Sequence, residues 1–131
     1  MASDKTNVMR VLEQHKIAYT AHEYPPGKEA GDGVTVAQLL GQNVQQVFNT
    51  RVALGKSGGY HVFVIPVAKE LDLKKAAKAA GEKSVEMVHV KELLGLTGYV
   101  RGGCSPVGMK KAFPTVFDAG PYRHLTLPTR L

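Results

Sequence analysis

Two runs rich in β-branched and aromatic residues, QVFNTRVALG (46–55) and YHVFVIPV (60–67), stand on either side of KSGG. Such runs suit a half-buried pleated surface, and a short glycine-containing break between them signals a β-hairpin. What surrounds the pair limits the fold further. KTNVMRVLEQHK places Val8, Val11 and Leu12 on one helical stripe, and IAYTAHEY (17–24) reads as a strand ended by Pro25-Pro26-Gly27. TVAQLLG reads as a short helix closed by Gly41. LDLKKAAKAAG is the strongest helix signal: Asp72 can cap its start, alanines fill its body, and Gly81 stops it. KSVEMVHV reads as a strand, VKELLGL as a short helix, and PTVFDAG as a final strand. A hairpin followed by strands interleaved with short helices indicates a single mixed α/β (α+β) domain and argues against a uniformly wound parallel sheet.

The chain of 131 residues is long enough for one real core, and 44% hydrophobic with 21% charged residues is ordinary for a globular domain. No apolar run approaches the ~20 residues of a membrane helix, so no membrane partner is expected. The opening MASDKTNVMR lacks an apolar signal core, and the lone Cys104 allows no internal disulfide. A cytoplasmic location is the expectation. The histidines (15, 22, 61, 89, 124) form no i, i+4 pair, so neither a metal site nor a cofactor is expected. The net charge of +6 favours an acidic partner such as a phosphate backbone.

The segment GYVRGGCSPVGMKK (98–111) packs four glycines, a Ser-Pro step and three cations between two apolar runs. Gly102-Gly103, Ser105-Pro106 and Gly108 can expose several N–H groups in one tight turn, which is a nest for an anion. Arg101, Lys110 and Lys111 raise the local potential. An irregular connector over a crowded surface is the competing reading. Cys104 sits beside cations that could lower its pKa, but a lone cysteine is more often a small buried apolar residue. Ser105 lacks the strand–elbow–helix setting of a nucleophile, and a turn role suits it better.

LTGYVRGGCSPVGMKK followed by FPTVFDA, VIPVAKELDLKKAAKAAG with KSVEMV, and KTNVMRVLE together resemble the YbaK/EbsC family. These are freestanding relatives of the editing domain of bacterial prolyl-tRNA synthetase. The resemblance spans Lys5 to Asp118, leaving 119–131 as an atypical tail. It implies a mixed sheet partly closed into a barrel and flanked by helices. It also implies an aminoacyl-tRNA deacylase that removes cysteine mischarged onto proline tRNA, with prolyl-tRNA synthetase as an associated partner. In that mechanism the substrate's own thiol attacks the ester carbonyl, so the protein positions the aminoacyl group and stabilises the oxyanion. By position, Gly102, Gly103, Ser105 and Pro106 match the family's glycine turn, and Arg101 and Lys110 flank it. Thr50 matches the pocket-strand threonine and Asp118 the aspartate after the last strand. Tyr19 and Tyr24 match pocket-lining aromatics on the first strand.

Two departures stand out. Where the family pattern carries an active-site lysine before the threonine, this chain has Asn49, with Arg51 two residues on. Asn49 and Arg51 share a face of an alternating strand, so Arg51 is a candidate to restore part of the lost charge. The tail AGPYRHLTLPTRL lacks the family's further strands and closing helix, which predicts reduced stability or a dimer rather than a robust monomer. The other function classes compatible with these residues are a non-catalytic aminoacyl-tRNA or nucleotide binding module and an inactive synthetase-associated protein.

Overall fold

A computed structural model describes residues 5–21, 37–38, 40–99 and 104–118. The hairpin forms where its sequence requires. β1 (Phe48–Gly55) pairs antiparallel with β2 (Tyr60–Pro66), from Phe48 opposite Pro66 to Leu54 opposite Tyr60. Gly58 turns the chain at φ +95°, and the Gly55 amide donates to the Gly59 carbonyl at 2.7 Å. β3 (Val85–Met87) adds antiparallel to the outer side of β1, and β4 (Thr115–Phe117) adds parallel to β2. The sheet order is β3-β1-β2-β4.

Strand alternation gives this sheet two differently covered faces. On one face Phe48, Val52, Val62 and Val64 pack with Tyr99 and Cys104. On the other, Ala53, Phe63 and Val85 pack against Ala76 and Ala77 of α2 (Leu73–Ala80). α2 has the predicted ends. The Asp72 carboxylate accepts from the Lys74 and Lys75 amides at 3.0 and 3.1 Å, and Gly81 closes the helix at φ +72°. α1 (Asn7–Gln14) buries Val8, and α3 (Val90–Thr97) ends at Gly98. Ala37 and Gln38 are helical, and the Gly41 amide donates to the Gln38 carbonyl, as the predicted Gly41 stop requires.

Two expectations are corrected. Among the described residues the sheet is an open four-stranded one, not a partly closed barrel. Closure needs the edge strands to meet, but β3 and β4 are three residues each and lie on opposite sides of the hairpin. The predicted strand over 17–24 is absent from its described part, residues 17–21. Ile17 and Tyr19 are exposed instead of alternating with a buried face. The Tyr19 hydroxyl donates to Glu13 Oε2, folding the segment back along α1. Among the described residues no helix is long and apolar enough to cross a membrane.

Candidate active site

The glycine segment is held by a frame that its own sequence supplies. The Lys110 amide donates to the Thr97 carbonyl at 3.0 Å, bringing the two ends of the segment together. Inside it, the Tyr99 ring is buried and its hydroxyl donates to the Val107 carbonyl at 2.6 Å. The Tyr99 amide in turn donates to Thr97 Oγ1 at 3.0 Å. From α1, Asn7 Nδ2 donates to the Gly108 carbonyl at 2.5 Å. Gly108 has φ +73°, and a Cβ there would meet Asn7 Nδ2 at 2.7 Å, so a side chain would be strained and would displace the Asn7 amide from its bond to the Gly108 carbonyl.

Ser105 is fully buried, and its hydroxyl accepts from the Val107 amide at 3.1 Å. That is the turn role its sequence setting suggested. Pro106 follows, half-buried. Cys104 is buried in the core, and desolvation pushes its thiol up to about 11. The cations considered as a means of lowering its pKa lose to burial, so a thiolate nucleophile at neutral pH is not what this position provides. Lys110 is exposed, with its stem lying over Gly98. Arg101, Gly102, Gly103 and Tyr24 lie outside the described residues.

The strand residues divide between the two faces. Thr50 lies between Phe48 and Val52 on the face that Tyr99 and Cys104 cover, opposite Val64 across the hairpin. Its hydroxyl oxygen is buried with no hydrogen-bond partner among the described residues. A buried hydroxyl without a partner costs about 1–3 kcal/mol, so such a group requires an explanation. Asn49 and Arg51 share the opposite face, as the alternation predicted: Asn49 half-buried opposite Ile65, Arg51 exposed opposite Phe63. Asp118 donates its amide to the Val64 carbonyl at 2.8 Å, and its exposed carboxylate lies 3.9 Å from Lys69 Nζ. Tyr19 is committed to Glu13 on the outside of α1. The structure therefore brings Thr50 and Cys104 to one side of the hairpin, with Ser105 next in the chain and buried, and leaves Asn49 and Arg51 on the other.

Sequence reasoning missed the frame residues Asn7, Thr97 and Tyr99. An aromatic set directly after Gly98, in TGYV, was the available signal for Tyr99. It also missed a polar cluster at the hairpin tip. Glu82 Oε2 accepts from Ser57 Oγ at 2.6 Å and lies 2.7 Å from His61 Nε2, and Glu82 Oε1 accepts from the Ser57 amide at 3.1 Å. These bonds, the Ser57 hydroxyl foremost, hold the Glu82 carboxyl at about 2. Residues separated by over twenty positions gave no local cue to that meeting.

Among known proteins, the aminoacyl-tRNA editing domain family matches residues 28–120 of this chain. The chain belongs to that family. It is 51% identical over 111 residues, covering 85% of this chain and 68% of the other, to an Enterococcus faecalis protein named "Putative Cys-tRNA(Pro)/Cys-tRNA(Cys) deacylase EbsC". Of solved structures, "a putative trans-editing enzyme for prolyl tRNA synthetase" superposes with a TM-score of 0.73 at 28% identity, covering 88% of this chain and 74% of that one. The hypothetical protein APE2540 superposes with a TM-score of 0.75 at 25% identity, covering 86% and 73%. The resemblance read from the motifs is thereby borne out, as is the reaction class of an aminoacyl-tRNA deacylase.

Proposed function

We propose that this deacylase acts on Cys-tRNA(Pro), using the substrate's own thiol as the nucleophile. The observation that carries the reading is the buried, unpartnered hydroxyl of Thr50 on the face framed by the glycine segment. A buried hydroxyl with no partner among the described residues is ready to bond a ligand that enters beside it. The cysteinyl sulfur attacks the ester carbonyl, the carbon–oxygen bond to the terminal ribose breaks, and that ribose oxygen leaves with a proton. The product is a cysteine thiolactone and uncharged tRNA. The protein's part is to orient the aminoacyl group and stabilise the developing oxyanion, with the amides of Gly102 and Gly103 and the Thr50 hydroxyl in that role. No protein nucleophile is needed, which agrees with the inert setting of Cys104. Arg101, Ser105, Pro106, Lys110 and Asp118 form the surrounding of the aminoacyl end, with prolyl-tRNA synthetase a partner for tRNA selection.

The test incubates the protein with Cys-, Ala- and Pro-charged tRNA(Pro) and follows ester loss. Selective loss of the cysteinyl ester, with thiolactone as the first product, is the expected result. Equal loss of the alanyl ester would refute the thiol mechanism, since alanine has no sulfur. Asn49 supports a second reading: without a cation at that position, a module that binds charged tRNA and leaves the ester intact is the alternative outcome of the same assay.

A further inference from the structure

A groove of about 390 Å³ runs between α2 and β3, with Leu73, Ala77 and Val85 as its apolar lining. Lys74, Lys78 and Lys83 line it, together with Ser84 and Glu82. It lies at the Gly55 end of β1, and six residues of strand, ~20 Å, separate that end from Asn49. It therefore belongs to a different place from the site around Thr50. Lys74 and Lys78 are one helical turn apart, so they project along the same side of α2, about 6 Å apart along its axis. All three lysines are exposed. None forms an ion pair among the described residues, whose acidic contacts are Lys5–Glu13, His61–Glu82 and Lys69–Asp118. The one carboxylate in the groove, Glu82, is held by Ser57 and His61. The nearest strand carboxylate, Glu86, alternates with Val85 and so faces the other side of the sheet.

Three unpaired cations on the rim of an open groove attract a polyanion rather than a small neutral ligand. Exposed Arg51 lies on the same sheet face, between the groove end of β1 and Asn49. The cationic positions thus form a track along the α2-covered face of β1, from the groove past Arg51 toward Asn49. We infer that the Lys74–Lys78–Lys83 groove is a docking surface for the phosphate backbone of an RNA, holding the body of the tRNA while its charged end reaches the hairpin. This inference rests on the editing reading for the identity of the RNA, and on the groove alone for its chemistry.

The experiment titrates uncharged tRNA(Pro) against the full chain between 50 and 200 mM salt. A triple variant, Lys74→Ala with Lys78→Ala and Lys83→Ala, is compared with Lys91→Ala on α3. Each phosphate contact contributes ~0.9 to the slope of log affinity against log salt, so losing two or three contacts should shrink the affinity drop over that range ~10- to 40-fold. The Lys91 variant should behave as the wild type. In parallel, lysine acetylation of the wild-type protein with and without tRNA is read by mass spectrometry, which needs no folded variant. Protection of Lys74, Lys78 and Lys83 is expected. An unchanged salt slope in a folded triple variant, an equal loss in Lys91→Ala, or equal acetylation of the three lysines with and without tRNA would overturn the proposal. Persistence of the cysteinyl ester with wild-type protein while the groove lysines remain protected would remove the deacylation reading and leave the groove standing.

Discussion

The Tyr99 hydroxyl donates to the Val107 carbonyl at 2.6 Å, bridging the glycine segment from the inside. Tyr99→Phe keeps the ring and deletes the bond, leaving a partly buried carbonyl unpaired. We expect a loss of about 1–3 kcal/mol of stability in urea unfolding with an unchanged m-value, and a slower deacylation rate because the turn loses its brace.

Thr50→Val should separate stability from activity. The hydroxyl has no partner among the described residues, so an isosteric methyl removes a penalty and raises unfolding stability by about 1 kcal/mol. Deacylation of Cys-tRNA(Pro) should fall. Loss of both stability and activity would show that the hydroxyl is bonded in solution.

Asn49→Lys restores a cation at a half-buried strand position. A hydrogen bond to a charged group contributes ~1.5–3 kcal/mol, so deacylation should rise roughly ten- to two hundred-fold in single-turnover assays. A protein that only binds charged tRNA would gain affinity and no rate. Arg51→Leu, removing the exposed cation on the same face, should weaken tRNA binding, as measured by titration at fixed salt.

The hairpin tip should set the acid stability of the fold. Glu82 has a folded pKa of about 2, below its ordinary value of 4.5, so its bonds to Ser57 and His61 contribute stability that is fully present above about pH 4.5. That contribution is lost as the pH falls from there toward 2. Glu82→Gln should lower Tm at pH 6 and flatten the decline between pH 5 and 2. Parallel Tm curves for wild type and variant across that window would show that Glu82 is not the group responsible.

Much of the fold was legible because its signals are local. Asp72 and Gly81 bracket α2 through bonds within a few residues, and Gly58 turns the hairpin between two strand-forming runs. The segment 17–21 misled because its alternation imitates a strand. In the structure its residues are all exposed, and Tyr19 is bonded to Glu13 on the preceding helix. The motifs announced a glycine turn at the aminoacyl pocket; its Gly102-Gly103 pair lies outside the described residues, and of the segment's later residues Cys104 packs on the Thr50 side of the hairpin. The division of Asn49 from Thr50 follows from period-two alternation, but which face each would take required knowing that α2 packs on Ala53 and Tyr99 on Val52. The hairpin cluster and the lysine groove assemble from parts of the chain that meet only in three dimensions.

The parallel seating of β4 on β2 bears on how the protein is made. Val62 finds its neighbour Thr115 roughly fifty residues later. At ribosomal rates of 5–20 residues per second, the flank of a strand with five of its seven residues buried waits several seconds for its mate. During that interval an apolar ribbon with free main-chain groups is open to any extended segment that passes. Aggregation of nascent chains, rather than loss of the finished protein, is therefore where slower synthesis between α2 and β4 would be felt.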